Sequence, residues 1–80
     1  MLTELQNSKK VVGFKQVRRS IEDGSAKKVF LAKDVSPDIY DKIVELCKEN
    51  NLDVIFADSM KQLGNACKID VSAAVAAIIC

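Results

Sequence analysis

The stretch KKVFLAKDVSP, residues 27–37, decides the fold class because it contains an apolar segment followed closely by the start of a helix. Its apolar run VFLA, residues 29–32, is typical of a strand buried on both faces, so we predict a strand over residues 28–33. Ser36 and Pro37 then favour a helix start, with serine as the cap and proline at the first helical position. A buried strand followed closely by a helix indicates an α/β protein.

Upstream of this stretch, the sequence predicts a helix that ends at a glycine. Apolar residues recur at helical spacing from Phe14 to Ile21, which predicts a helix over residues 14–23. Gly24 follows as the C′ residue, where the left-handed backbone conformation favours glycine. Two shorter segments precede this helix, an opening helix and an apolar segment, at residues 2–8 and 11–12.

Downstream, the pattern predicts a long helix, a strand, a short helix and a final strand. The long helix runs over residues 37–50, and its predicted buried face consists of Ile39, Tyr40, Ile43, Val44, Leu46 and Cys47. The other elements are a strand over 53–57, a helix that starts with a capping-box pattern at 59–62, and a central strand over 74–79. This alternation predicts a three-layer α/β/α sandwich with a small mixed sheet of about four strands, as a single domain over residues 1–80.

Composition excludes several function classes. The 80 residues are 49% hydrophobic and 29% charged, which is the balance of a folded protein, and the chain contains no histidine. No nucleophile–base pair and no glycine-rich phosphate loop is present, so we expect no enzymatic activity and no cofactor. The three cysteines form no Cys-x-x-Cys pair, which predicts buried thiols rather than a metal site. Without a signal peptide or a membrane-length apolar run, we expect a cytoplasmic protein that does not contact membranes.

Charge is segregated along the chain although the formal net charge is only +1. Residues 1–33 carry eight bases against three acids, a net charge of +5, whereas residues 34–58 carry two bases against seven acids, a net charge of −5. A basic half of this kind attracts polyanions, and a solvated surface with no partner is the alternative interpretation.

The strongest local cluster is GFKQVRR, residues 13–19. If the apolar residues of this helix point inward, then its polar residues project from the first turns, where free N–H groups also favour an anion; these residues are Lys15, Gln16, Arg18 and Arg19. Arginine and lysine donate to guanine O6 and N7, and glutamine both donates and accepts at a base edge. Gly13 permits close approach of the backbone to a phosphate or sugar. An ordinary basic amphipathic helix remains the alternative from this cluster alone.

A second candidate segment covers residues 62–71, where a helix leads into the last strand. Ile69 and Val71 flank Asp70, and apolar side chains in such a loop can pack against an unstacked base. Packing of the helix on the sheet is the alternative explanation of the same spacing.

Four segments, taken in order and with their spacing, resemble one protein family: VVGFKQ (11–16), AKDVSP (32–37), KQLGNAC (61–67) and AAVAAII (73–79). The chain is similar to the kink-turn RNA-binding ribosomal proteins of the L7Ae/L30e type, and most similar to their short bacterial members. The resemblance covers residues 11–79. It implies an α/β/α sandwich that binds the kink-turn, a bent helix–loop–helix RNA with tandem sheared G·A pairs.

The resemblance also implies a set of RNA-binding residues. The family segment that contacts the guanines corresponds to Gly13, Lys15, Gln16 and Arg19, with Phe14 where a small threonine is usual and Arg19 where lysine is more common. Lys33 matches a position near the RNA. The loop that packs on the extruded bulge corresponds to Ile69, Asp70 and Val71, and is preceded by Lys68 where the family usually has glycine.

These observations predict a non-catalytic protein that binds and stabilises kink-turn RNA. The predicted partner is a structured RNA such as rRNA or a riboswitch-like element, with the ribosome as a further partner, no DNA, and a monomeric protein. Arg18 and a group of lysines supply phosphate attraction; the lysines are Lys9, Lys10, Lys27, Lys28 and Lys68. The alternative is a protein-interaction module that docks a basic partner on the acidic helix over residues 37–50, although the sequence indicates no exposed apolar hot spot there.

Overall fold

The computed structural model describes residues 9–67 and 72–79. Its elements are β1 (Lys10–Val12), α1 (Phe14–Glu22), β2 (Ala26–Ala32), α2 (Pro37–Glu49), β3 (Val54–Ala57), α3 (Met60–Ala66) and β4 (Val75–Ile79). The elements predicted within these residues are all present, with bounds that differ by one or two residues. The predicted opening helix over residues 2–8 lies outside the described residues.

The four strands form one mixed sheet in the order β1-β4-β2-β3. The central strand β4 is antiparallel to both of its neighbours, with Ala77 opposite Val11 on one side and opposite Val29 on the other. The outer strand β3 is parallel to β2. The last described strand, β4, therefore lies between β1 and β2 and pairs with both. Strands β1 and β3 form the two edges of the sheet.

Helices cover both faces of the sheet, which confirms the predicted three-layer sandwich. On one face α1 and α2 pack over β2 and β4, and the buried residues are Val17, Ile21, Ala26, Val29, Leu31, Ile43, Cys47, Val75 and Ala77. On the other face α3 packs on residues of β2, β3 and β4, and the buried residues are Phe30, Ala32, Ala57, Leu63, Ala66, Cys67, Ala73, Ala76 and Ile78. No helix in the described part of the chain is long and apolar enough to cross a membrane.

The helix ends agree only in part with the sequence patterns. Gly24 has φ 81°, the left-handed conformation expected at the end of α1. At α3 the Ser59 hydroxyl accepts from the Gln62 N–H at 3.0 Å, but the Gln62 side chain accepts from the N–H of Asp58 instead of returning to Ser59. The predicted capping box is therefore half formed. Ser36 occupies the N-cap position of α2 without a side-chain capping hydrogen bond.

The prediction that Tyr40 belongs to the buried face of α2 is wrong. Tyr40 is 37% exposed, and its ring stacks on Phe56 of β3, which is 41% exposed, with ring centroids 5.8 Å apart. The cause is the position of β3 at the edge of the sheet: no strand of the described chain lies beyond it to cover this side of α2. The acidic helix thus does carry an exposed apolar feature, contrary to the expectation from the sequence.

Candidate nucleic-acid interface

The outer face of α1 is the most strongly cationic helix surface in the described chain. Val17 and Ile21 are 0% and 2% exposed, so the helix rests on the sheet through the residues that the apolar spacing indicated. The polar side chains face outward and line a shallow depression of about 410 Å³, formed by Lys15, Gln16, Arg18, Arg19 and Glu22. The four polar residues predicted from the GFKQVRR segment therefore share one accessible surface, which includes a single carboxylate.

Gly13 fixes the geometry at the beginning of this surface. Its φ of 106° and ψ of 153° form a conformation that residues with a side chain rarely adopt. The Gly13 N–H donates to the Val75 carbonyl at 3.0 Å, and the Gly13 carbonyl accepts from the Val17 N–H at 3.0 Å. A Cβ atom at position 13 would lie only 2.9 Å from Oε1 of Gln16. The exposed Gln16 carboxamide therefore lies close to Gly13, at the start of α1.

Phe14 is half-buried rather than fully inward, and two cations flank its ring. The Arg18 guanidinium carbon lies 5.8 Å and the Lys42 ammonium 6.0 Å from the ring centroid, within the range of cation–π contacts. Arg18 also forms an exposed ion pair with Glu22, with an N–O distance of 3.9 Å. Lys42 comes from α2, where the sequence pattern indicated only a place on the polar face. A contact between two helices has no local sequence signal, so this cation next to α1 was not predicted.

Lys33 lies at the same end of the sheet as Gly13. It follows the last residue of β2, and its ammonium lies 3.7 Å from the Asp58 carboxylate, with both side chains exposed to solvent. The preceding residue, Ala32, donates its N–H to the Ala74 carbonyl at 3.0 Å, just before β4 begins. Because Gly13 bonds to Val75, the start of α1 and the end of β2 flank the beginning of β4.

The predicted loop residues Lys68, Ile69, Asp70 and Val71 lie outside the described residues. Before this loop, Cys67 is buried at the end of α3; after it, Ser72 is exposed and Ala73 is buried. The Ala73 N–H donates to the Met60 carbonyl at 3.0 Å.

The lysines assigned to phosphate attraction lie mostly at the opposite end of the sheet. Lys10 and Lys28 are paired with Ile78, and Ala26 with Ile79, at the end of β4, whereas Gly13 adjoins Val75 at its beginning. At about 3.3 Å per residue, the two ends are about 13 Å apart. The predicted residues thus form two groups: one on the outer face of α1 together with Lys33, and one that consists of Lys9, Lys10, Lys27 and Lys28. Within the first group, Arg19 lies in the last turn of α1 and not in its first turns as predicted, because the helix ends at Glu22.

The two described cysteines have no features of a reactive or metal-binding site. Cys47 and Cys67 are free and buried, as predicted for small apolar residues. Burial raises the pKa of the Cys47 thiol to about 11 and also raises the pKa of the Cys67 thiol, so both are neutral near pH 7. Within residues 9–67 and 72–79, no group of three His, Cys, Asp or Glu side chains is placed to hold a metal ion.

An α/β/α sandwich with cations and a glutamine around a glycine-initiated helix belongs to the class of small domains suited to binding a polyanion. Comparison with known proteins identifies the family. The model of the ribosomal protein L7Ae/L30e/S12e/Gadd45 family matches residues 2–80, and the chain belongs to this family. The membership predicted from the four sequence segments is thereby confirmed.

Individual relatives and solved structures agree with this assignment. An RNA-binding protein of Geobacillus sp. strain WCH70 is 52% identical over 75 residues, which cover 94% of this chain and 92% of that protein. A 15.5 kD RNA-binding protein of Giardia lamblia has a TM-score of 0.83 at 26% identity, covering 99% of this chain and 65% of that one. A Bacillus halodurans protein of unknown function shares the fold, with a TM-score of 0.88 at 19% identity over 99% of this chain and 83% of that one. The family and the names of these relatives point to a non-enzymatic protein, as expected from the sequence.

Proposed function

We propose that this protein binds RNA and stabilises the kink-turn, using the start of α1 and Lys33. The observation that carries the proposal is the convergence of Gly13, Gln16 and Lys33 around the beginning of β4. These are positions that the family resemblance assigns to RNA contact, and they come from separate parts of the sequence. The names of the relatives, which include RNA-binding proteins, support the same chemistry.

In this proposal Gln16 and Arg19 contact the edges of the guanines in the sheared G·A pairs. A glutamine carboxamide offers a donor and an acceptor, and arginine offers forked donors that match guanine O6 and N7. Gln16 lies close to Gly13, where the absence of a side chain leaves room for its carboxamide. Lys15 lies on the same exposed surface and, in this proposal, contacts the adjoining RNA backbone.

Phosphate attraction then favours the bent RNA over the extended one. A sharp bend brings phosphates close together, so a cationic surface binds the bent conformer more tightly and shifts the population toward it. Arg18 and Lys33 contribute positive charge near the start of α1, although each is partly neutralised by a carboxylate. The lysines at the other end of the sheet attract RNA without reading its sequence.

The experiment is the titration of a fluorescently labelled kink-turn RNA at fixed, near-physiological salt without added magnesium. The control RNA is identical except that its sheared G·A pairs are replaced by Watson–Crick pairs. We expect tight binding and folding of the first RNA only. Equal, weak binding to both RNAs would contradict the proposal and reduce the α1 surface to a generic basic patch.

We extend the proposal to ribosomal RNA as the source of the kink-turn, since the family is described as one of ribosomal proteins. The test is co-sedimentation with purified ribosomal subunits at the same salt concentration. Co-sedimentation that is lost on Gln16→Ala supports the extension. Retention of kink-turn binding in solution without co-sedimentation would restrict the protein to RNAs outside the ribosome.

A further inference from the structure

The edge of the sheet formed by β3 carries an apolar surface that RNA binding at α1 does not use. Within residues 9–67 and 72–79, the exposed large hydrophobic side chains are Tyr40 and Phe56, and they stack on each other. Two aromatic rings that bury each other only partly leave apolar area in contact with water. Such a feature on a small protein is a common mark of an interaction surface.

Within residues 9–67 and 72–79, no strand pairs with the backbone of β3 on this edge. The Lys33 N–H donates to the Ala57 carbonyl at 2.9 Å, so Ala57 directs its backbone polar groups at β2. Strand geometry alternates, and the N–H and C=O groups of Val54 and Phe56 therefore point away from the sheet. The strand sequence VIFA contains no proline or charged residue of the kind that usually protects an edge strand. The opposite edge, β1, begins with a lysine.

The charge around this edge is negative. Residues 34–58, which include both rings, have a net charge of −5. Asp53 and Asp58 flank β3 directly, and Asp41 follows Tyr40 on α2. Asp58 is already paired with Lys33, at an N–O distance of 3.7 Å. Lys42, one of the two bases in this segment, lies against Phe14 on the α1 side of the helix.

We infer that the β3 edge docks an extended segment of a protein partner that carries arginine at alternate positions. The open N–H and C=O groups of β3 pair with the backbone of the added strand. Alternate side chains of that strand project toward the Tyr40–Phe56 stack, where a planar guanidinium can lie on the rings and bond to the flanking carboxylates. This surface is formed by α2 and β3 and differs from the proposed RNA surface on α1, although the two surfaces meet where Asp58 lies 3.7 Å from the Lys33 ammonium.

The test is fluorescence anisotropy of the full chain, free of RNA, with a labelled octapeptide of alternating arginine and threonine. One control peptide has glutamate in place of arginine, and a second keeps the arginines but is N-methylated at every second backbone position. We expect binding of the first peptide, none of the glutamate peptide, and about fivefold weaker binding of the N-methylated peptide for each pairing hydrogen bond lost. Equal affinity for the methylated peptide would overturn strand addition.

Variants locate the surface. Phe56 and Tyr40 are exposed, so Phe56→Ser and Tyr40→Ser each preserve the core, and we expect each to weaken peptide binding about three- to fivefold. Asp41→Asn removes one negative charge next to Tyr40. Its matched control is Glu45→Gln, which removes one negative charge from the side of α2 that faces α1. We expect a loss of affinity for the first variant only. An equal loss for Glu45→Gln would show non-specific attraction to an acidic protein and overturn the inference.

Two further measurements separate this inference from its competitors. In the proposed function, Arg19→Ala weakens RNA binding. It should leave the affinity for the peptide unchanged, so that a loss of RNA binding and a loss of peptide binding can be distinguished. Sedimentation of the free protein distinguishes a second copy of this chain as the occupant. A dimer that dissociates on Phe56→Ser would replace the arginine-bearing partner with self-association through β3.

Discussion

Helices α1 and α2 lie side by side on one face of the sheet, and they are alike where they are buried and opposite where they are exposed. Val17 and Ile21 of α1 pack into the same cluster as Ile43 and Cys47 of α2. On the outside, α1 presents lysine, glutamine and arginine, whereas α2 presents mainly carboxylates and Tyr40. The buried faces hold the sandwich together, and the two helices differ in the charge of their exposed residues.

The two helices also begin differently. Helix α2 starts from the Ser36-Pro37 pair, in an ordinary extended conformation. Helix α1 starts from Gly13 in a conformation that only glycine adopts easily, with its carbonyl and N–H both bonded. The helix whose start we assign to RNA contact is therefore the one with the more demanding backbone. The following predictions test whether this contrast separates stability from binding.

The largest expected effect concerns the shared core. Ile21→Ala and Ile43→Ala each remove a fully buried side chain from the same cluster and should lower the free energy of unfolding by about 2–5 kcal/mol. Urea unfolding followed by circular dichroism measures both values. If the buried faces of the two helices are equivalent, the two variants lose similar amounts of unfolding free energy. A loss in only one variant would show that the buried faces are not equivalent.

Gly13→Ala should combine a loss of stability with a loss of binding. The strained backbone costs about 1–3 kcal/mol, and the new Cβ displaces the Gln16 carboxamide, which lies 2.9 Å from its position. Gly24→Ala is the matched control: its φ of 81° imposes a similar backbone strain, but nothing lies within 4 Å of the new atom. We expect both variants to unfold more easily and only Gly13→Ala to lose affinity for kink-turn RNA. A similar loss of affinity in both would show that strain alone is responsible.

Removing a single polar side chain from each helix tests the exposed faces. Gln16→Ala should weaken binding of the G·A-containing RNA by about 1–3 kcal/mol, with little change in stability because the side chain is exposed. Glu45→Gln on α2 should not weaken binding. Lys27→Ala, at the far end of the sheet, should weaken all RNAs to a similar extent and reduce the salt dependence. Loss of G·A selectivity in Lys27→Ala, with none in Gln16→Ala, would reverse the assigned roles.

The smallest effects concern the helix caps. Ser59→Ala removes a hydroxyl that accepts the Gln62 N–H, and should lower the free energy of unfolding by about 1 kcal/mol. Ser36→Ala removes a hydroxyl with no capping hydrogen bond and should change it by less than about 0.5 kcal/mol. Thermal unfolding of the two variants gives the comparison. A larger loss for Ser36 would mean that its hydroxyl caps α2 in solution.

The order of elements was predictable because each carries its own local pattern. The VFLA run lies in β2, and the helical spacing of Phe14, Val17 and Ile21 correctly predicted α1. The central position of the last strand was predicted and is confirmed, but the full order of strands was not predicted, since pairing of β4 between β1 and β2 depends on contacts between distant segments. The exposure of Tyr40 was missed for a related reason. Helical spacing identifies a buried stripe, but the edge of the sheet decides where that stripe ends.

The candidate site was predictable to the same degree. The polar residues of α1 were indicated by the cluster around Gly13, and Lys33 by the family resemblance. What the sequence did not reveal is the distance between the two groups of cations or the approach of Lys42 to Phe14. Both depend on how the helices and strands are placed relative to one another. Local patterns carry no information of that kind.

The central position of β4 has a consequence for how the chain matures during translation. Synthesis proceeds from the N-terminus, and β4 is the last of the four described strands to be made. Until it emerges, β2 can pair only with β3, β1 has no neighbouring strand, and the start of α1 lacks the Val75 carbonyl that accepts from the Gly13 N–H. The nascent chain therefore completes its sheet and its proposed RNA surface in the same late event.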